Sequence, residues 1–534
     1  MPVHMEPNER LLRASLFTHL DGLVVLPTLA ALQHRGLHLQ LLDRGGADVD
    51  ELAARCEGHA GYLNVALRLL ASQGWLAMRV EGDRVGYDLL PEGEAIFRAG
   101  RFAEPIAALV PMVIGMHRVL EEDGAKEIAR LFQEARARLA RRGLPAVPHA
   151  RLDRMLEGLL AGPLLTHLAM HGAKAKRDHL GRGRLAGIAT PLRGGADILL
   201  GALGWVETQD LEAPSITEEA FFFAQRASAY GVTTSYLRTM DRLDELLFGR
   251  GDVLWNVPAG SPEIHVDRTM NVWGSGGAHA AYFKRMDELV VELFDRPIEE
   301  QPRGFADMGS GNGALIVHLF DLIYQHTRRG RMLREHPLFI VGADYNEAAQ
   351  RATRESLSRA DVWGEVMFGD VSDPGRLADD LRVRHGVDLG DLLNIRTFID
   401  HNRMYRPPAS LDPGRTSRST GAFAFRGQRL RNADVEQDLC DHLRRWTPHL
   451  ERFGLIVIEL HTLPPDLAAA HPGRTAITAY DGTHGYSDQY IVEHDVFLAV
   501  AAEAGLHPVP GSGTVFPGTD LPVISVNWLK AAVA

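Results

Sequence analysis

An acid, three glycines and a serine fall together in Asp307-Met308-Gly309-Ser310-Gly311-Asn312-Gly313, and that spacing has a ready chemical use. Phe305-Ala306-Asp307-Met308 reads as the end of a strand and Ala314–Ile323 as the helix that follows. Glycines in such a turn let a ligand approach the backbone where a Cβ would clash. The helix that opens there offers unpaired N–H groups to the same ligand. Phe339-Ile340-Val341-Gly342-Ala343-Asp344 is a second apolar strand ending in an acid, suited to ribose hydroxyls, with Tyr345 beside it. Phe368-Gly369-Asp370-Val371 places an acid after a third strand, where it suits an adenine amino group. No Lys-Ser/Thr follows the glycines, so a phosphate loop lacks support, and the G-x-G-x-G spacing departs from the G-x-G-x-x-G of dinucleotide dehydrogenases.

Together these residues resemble the pattern of class I S-adenosylmethionine (SAM) dependent methyltransferases. The resemblance implies SAM as cofactor, held by Asp307, Gly309, Ser310, Gly311, Gly313, Asp344, Tyr345, Asp370 and Val371. The 37 residues from Asp307 to Asp344 exceed the usual gap, so the first helix or its following loop, Arg328–Arg331, must be extended.

Ligands of open α/β sheets sit beyond the carboxyl ends of the strands. Two histidines fall at such ends. Leu392–Arg396 reads as a fourth strand leading to Phe398-Ile399-Asp400-His401-Asn402-Arg403, and Leu455–Leu460 as a fifth leading to His461. Tyr480 to Tyr490 is a polar and aromatic cluster that includes Asp481, His484, Asp488 and Gln489. Two readings stay open. In one, His401 and His461 bind a divalent metal, with Gln489, Asp488, Asp481 or Asp400 as third ligand; two imidazoles and an oxygen suit Fe(II) or Mn(II). In the other, a histidine is a general base and no metal takes part. His484 and Asp400 are the candidate catalytic residues.

The set Asp307–Gly313, Arg396–Arg403, Glu459-Leu460-His461-Thr462 and His484–Tyr490, with Tyr230-Gly231-Val232-Thr233-Thr234-Ser235-Tyr236, resembles the initiating methyltransferase domains of polyketide synthase loading modules of the apratoxin and saxitoxin type. The resemblance covers roughly 200–534. It implies a mononuclear iron or manganese at His401, His461 and Gln489, and C-methylation of a malonyl-type group on an acyl carrier protein. The metal would act as a Lewis acid on the malonyl oxygens. No carrier Asp-Ser-Leu motif occurs here, so the substrate is either a free small molecule or a carrier supplied in trans. Arg415, Arg418, Arg426, Arg429 and Arg431 lie without an intervening acid and are a candidate carrier-docking surface or lid. The competing reading is a metal-free O- or N-methyltransferase of a small secondary metabolite.

These residues require an α/β frame. From 271 to 534, strand-like runs at Gly304–Met308, Leu338–Ala343, Val366–Gly369, Leu392–Arg396, Leu455–Leu460 and Val523–Leu529 alternate with helical runs. That predicts a Rossmann-like seven-stranded sheet covered by helices. Residues 1–100 read as a winged-helix-like domain: a helix over 10–44, a second over 61–73 after the N-cap Asp48, a hairpin of Met78–Val80 with Tyr87–Leu89, and a helix from Pro91. Small-molecule O-methyltransferases carry a similar module for dimerisation and substrate covering, which implies a homodimer. Residues 101–270 read as helical, with a degenerate second unit over 155–228. There Leu160–Gly172 echoes Leu23–Gly36, and Gly204-Trp205 echoes Gly74-Trp75.

Composition narrows the partners. A net charge of −12 argues against nucleic acid, and Gly61–Arg68, the would-be recognition helix, carries one cation. That also weakens the reading of a regulator that merely senses SAM. Two distant cysteines form no disulfide framework or thiolate zinc site, which points to the reducing cytoplasm. The polar N-terminus and the absence of long uncharged apolar runs predict no signal peptide and no membrane span.

Overall fold

A computed structural model describes residues 7–116, 122–179, 181–208, 215–258, 263–278, 280–408 and 414–532. The chain divides into two compact units. The first comprises residues 1–278, 422–430 and 464–488; the second comprises 279–421, 431–463 and 489–534.

The first unit is built on two long helices, Pro7–His34 and Ala146–Met170. They cross so closely that glycine is required at the contact. A Cβ at Gly22 would lie 2.1 Å from the Met155 carbonyl oxygen, and one at Gly158 would lie 2.3 Å from the His19 Cα. The expected single helix over 10–44 is broken at Gly36, whose φ of 74° is left-handed, and resumes as Leu37–Arg44. Asp48 caps the next helix, accepting from the N–H groups of Asp50 and Glu51. The hairpin Leu76–Glu81 with Arg84–Leu89 takes Gly46–Asp48 as a third antiparallel strand.

The two Gly-Trp segments have the same local backbone geometry. Gly74 and Gly204 both have positive φ, at 77° and 75°. The Trp75 N–H donates to the Leu70 carbonyl and the Trp205 N–H to that of Leu200. Each tryptophan carbonyl then accepts from the segment that opens the next helix, from Leu90 and from Thr217 respectively. A four-stranded antiparallel sheet, ordered 174–177, 183–186, 215–216, 206–208, lies around the second of these segments.

Among the described residues one helix, Asn8–His34, is long and apolar enough to cross a membrane by length and composition. Most of its apolar window is buried, with Leu23, Val24, Val25 and Leu29 in the core of the unit.

The second unit is organised by one sheet of eight strands, one more than expected. In chain order they are β1 (Gly304–Met308), β2 (Phe339–Asp344), β3 (Glu365–Phe368), β4 (Leu393–Thr397), β5 (Leu455–Leu460), β6 (Leu506–Pro508), β7 (Thr514–Gly518) and β8 (Leu521–Ala531). The spatial order is β3-β2-β1-β4-β5-β8-β6, with β7 also paired to β8. β3 to β5 run parallel, while β8 is antiparallel to β5, β6 and β7. Strands covered on both faces read as near-continuous apolar runs. β1 and β5 are buried along their whole length, and β4 and β8 along most of theirs. The strand order reverses direction between β1 and β4, and that switch point is where open α/β sheets leave a crevice.

Candidate active site

Beyond β1 the chain turns through three glycines in the left-handed region: Gly309 at φ 84°, Gly311 at 55° and Gly313 at 74°. Only glycine adopts these angles at little cost. Space gives a second reason. A Cβ on Gly309 would meet the Ile399 side chain at 2.7 Å, and one on Gly313 would meet the Thr353 Cα at 3.1 Å. The Ser310 hydroxyl lies 3.1 Å from the Thr353 hydroxyl, which itself donates to the Gly311 carbonyl. The turn is thereby tied to the helix Glu347–Arg359 and opens the helix Ala314–His326.

Asp344, at the end of β2, accepts from the Gly311 N–H at 3.0 Å and from the Asn346 N–H at 2.8 Å. Tyr345 is exposed and packs its ring 5.4 Å from that of Phe368. Asp370 accepts from the Ser372 N–H, and the Val371 carbonyl accepts from the Trp446 indole. Asp307 is the most unusual of the group. Burial, reinforced by the nearby Asp344 charge, pushes its carboxyl up to about 7, and its Oδ1 has no hydrogen-bond partner. A buried acceptor of this kind calls for a donor. SAM carries an ammonium group that suits it, so the residues around the turn fit the cofactor that the sequence implies.

The expected metal ligands are placed less favourably. His461 is fully buried, with Nε2 2.7 Å from the Ser525 hydroxyl and Nδ1 3.3 Å from the Val492 carbonyl. Burial, with the nearby His494 and His401 rings, drives its pKa well below the ordinary histidine value. Both ring nitrogens are engaged within the protein, so His461 reads as a neutral buried histidine. Gln489 is near His401 in the chain path, because the Tyr490 N–H donates to the His401 carbonyl at 2.8 Å. Among the described residues no group of three or more His, Cys, Asp or Glu side chains is arranged to hold a metal. The donors as they stand do not fit the implied iron or manganese.

His401 has a different partner. Its Nδ1 lies 2.5 Å from Glu459 Oε1, and Glu459 Oε2 accepts from the Asp400 N–H at 2.8 Å and the His401 N–H at 3.3 Å. A carboxylate only accepts, so it fixes the proton on Nδ1 and leaves Nε2 as the basic nitrogen. Glu459 received no role from sequence reasoning. Its signal is an acid within the apolar run Leu455–Leu460, where burial is costly without partners.

Asp400 and His484, the candidate catalytic pair, belong to different units. Asp400 sits behind β4, with Oδ1 2.9 Å from Arg396 and 2.8 Å from His442 Nε2. Burial alone would raise its pKa, but the charges of Arg396 and His442 outweigh it and hold the carboxyl below the usual range. That arrangement suits an anchor of the β4 edge. His484 lies in the helix Ile477–Gly485, with Nδ1 2.8 Å from the Tyr480 carbonyl and its ring 5.7 Å from Tyr236.

The arginines proposed as a docking surface all face acids. Arg415 pairs with Glu503 at 2.8 Å, Arg418 with Asp495 at 3.7 Å, Arg426 with Asp488 at 3.6 Å, Arg429 with Asp50 at 2.7 Å and Arg431 with Asp434 at 3.6 Å. Arg426 and Arg429 belong to a short hairpin, Ala424–Phe425 with Gln428–Arg429, inserted into the first unit beside Gly61 and Gly251.

Comparison with known proteins gives three successive family matches. Residues 12–78 match the family described as AprA N-terminal domain, 157–250 the AprA winged helix domain and 263–527 the AprA MT2-like domain. No curated protein matches the chain. Solved structures similar to it include an O-methyltransferase family 2 protein from Planctomyces limnophilus in complex with apigenin. It is 11% identical with a TM-score of 0.41, over 100% of this chain and 97% of that one. The CMeT domain of the citrinin polyketide synthase is 11% identical with a TM-score of 0.35, over 79% and 98%. The CurJ carbon methyltransferase is 13% identical with a TM-score of 0.31, over 80% and 99%.

Proposed function

Because residues 263–527 match the AprA MT2-like family and the chain is a SAM-dependent methyltransferase, we propose that it methylates the α-carbon of a malonyl-type acyl group, presented by an acyl carrier protein, with His401 as general base. The observation that carries this reading is the His401–Glu459 pair at the carboxyl edge of β4 and β5. The glycine turn is one strand away, and Ile399, two residues before His401, packs on Gly309.

An α-carbon between two carbonyls is acidic enough for an imidazole to deprotonate. His401 Nε2 takes the α-proton, and the electron pair delocalises into the carbonyl oxygens as an enolate. The imidazolium that forms is stabilised by Glu459, as a carboxylate stabilises the histidine of a hydrolase triad. SAM supplies an electrophilic methyl group when bound. With SAM held there, the enolate carbon would take that methyl group, and the methyl–sulfur bond would break to leave a neutral thioether. In this chain Asp307 would receive the cofactor's ammonium group and Asp344 its ribose, while Glu459 holds the base in one tautomer.

The same dyad would deprotonate a hydroxyl, so O-methylation of a small molecule is the second reading. Product analysis separates the two. Label from methyl-labelled SAM should appear on carbon in a malonyl-loaded carrier and not on a panel of free phenols, alcohols or amines. Methylation confined to the free acceptors would overturn the acyl reading. An iron or manganese requirement is tested separately by metal content after purification without chelator and by activity in EDTA.

A further inference from the structure

We propose that Arg396, Asp400, His442 and Arg403 are positioning residues, which fix the turn Asp400–Asn402 in the one geometry that holds Glu459 against His401. The proposal rests on the reading of His401 as the base. All of these residues belong to the second unit. The need starts with Arg396. Strand alternation turns it away from the face of Ile395 and onto the helix Asn432–Trp446, where its guanidinium lies 4.7 Å from the Trp446 ring. It is fully buried, so its charge demands an acceptor. Asp400 Oδ1 supplies one at 2.9 Å, and the same oxygen lies 2.8 Å from His442 Nε2. Burial lowers the pKa of His442, so the ring is neutral, and a carboxylate partner places its proton on Nε2. The Asp400 side chain is thereby tied to β4 and to the helix at once. Its main-chain carbonyl is tied as well. Arg403 Nη1 donates to it at 3.0 Å, and the other nitrogens of Arg403 reach Asp438 at 2.7 Å and the Val435 carbonyl at 3.0 Å, on the same helix.

The N–H groups of the same turn serve Glu459. Those of Asp400 and His401 both donate to Oε2, while Oε1 takes the Nδ1 proton of His401. One turn therefore sets where Glu459 sits and where His401 sits. Arg396, Asp400, Arg403, Asp438 and Glu459 are each no more than 3% exposed. Ions buried this deeply lose hydration that their mutual attraction only partly returns, and apolar side chains of similar volume would stabilise the protein as well or better. What the ions add is direction, through hydrogen bonds of defined length and angle that an apolar contact lacks. A network of this kind, beginning one residue before the base, is placed to keep the base in register.

The test takes geometry first and turnover second. In proton NMR of the full-length protein without substrate, the Nδ1 proton of His401 should lie far downfield of the amides, as a short imidazole–carboxylate bond requires, and vanish in His401→Ala. Asp400→Asn should lose that signal and lower kcat by about a hundredfold, with acceptor KM and SAM affinity within about twofold of wild type. A triple variant, Arg396→Met with Asp400→Leu and His442→Leu, replaces the buried polar groups by apolar ones. It should melt at or above the wild-type Tm and still lack both signal and activity. A triple variant that regains signal and turnover, or that melts well below wild type, would overturn the proposal by making the network a purely structural one. Asp400→Asn with signal and kcat intact would overturn it too, as would a wild type without the signal. Full turnover by His401→Ala would instead overturn the base, while the signal and its loss in Asp400→Asn would still report on the turn.

Discussion

His401 and Glu459 form the pair on which the proposed chemistry turns, and each can be tested alone. His401→Ala should lower kcat by about 10²–10³ without changing SAM affinity. Glu459→Gln keeps the side-chain shape but no longer fixes the tautomer or stabilises an imidazolium, so a loss on the order of tenfold to a hundredfold is expected. Equal kcat in wild type and both variants would remove the base. Asp307 gives a pH prediction. With its carboxyl raised from 3.8 to about 7 by burial, the unfolded chain releases the proton first. Stability of the cofactor-free protein therefore falls as pH rises through that window and levels off above it. Asp307→Asn should flatten the slope of Tm against pH between about 4 and 7, and should weaken SAM by about 2 kcal/mol for the lost charged hydrogen bond. An unchanged slope would mean that Asp307 is not the group responsible. The contrast between Asp307 and His461 shows how far the sequence could be read. The glycines, Asp344 and Asp370 are local signals that share one turn or one strand end. The state of His461 is set by Val492 and Ser525, 31 and 64 residues away, and nothing in the local spelling announces those partners. Glu459 was in plain view, but its meaning depends on β4 lying beside β5.

At the scale of elements, the parallel strands were legible because each carries a short apolar run between helical ones. The two missed strands, Leu506–Pro508 and Thr514–Gly518, are short, contain proline and pair only with β8, at its opposite ends. Proline and brevity are the marks of edge strands, and they also erase the strand signal. The long helix of the first unit was read correctly in type but not in length, because Gly36 supplies a left-handed break that apolar periodicity overrides. The crossing of Pro7–His34 on Ala146–Met170 yields a sharp expectation. Gly158→Leu would force a side chain into the His19 backbone. It should destabilise the protein by about 3 kcal/mol or more, by overpacking, and lower Tm in a thermal melt. An unaltered Tm would mean that the two helices do not pack this closely in solution.

At the scale of the whole molecule, the chain does not divide at a single point. Residues 422–430 and 464–488 leave the sheet and join the first unit, where Ala424, Ala479 and Tyr486 enter its core. Tyr62 donates to Asp488 at 2.8 Å, and Arg68 pairs with Asp481. An expected methyltransferase segment of 271–534 therefore contains two stretches whose packing partners lie before 271. Expressed alone, that segment should expose apolar surface at both excursions and show low hydrogen-exchange protection over 477–488. Full protection there would contradict the division into these two units. A linear reading places boundaries where composition shifts and has no means of seeing a chain that returns.

The central claim is that this molecule moves a methyl group from SAM to an acyl carbon through His401. The most direct measurement is carbon-13 NMR of the product formed from methyl-labelled SAM and a malonyl-loaded carrier protein, run with wild type and His401→Ala. A carbon-bound methyl at the α-position is expected with wild type, and its loss in the variant. Label on oxygen, or equal label from both proteins, would contradict it.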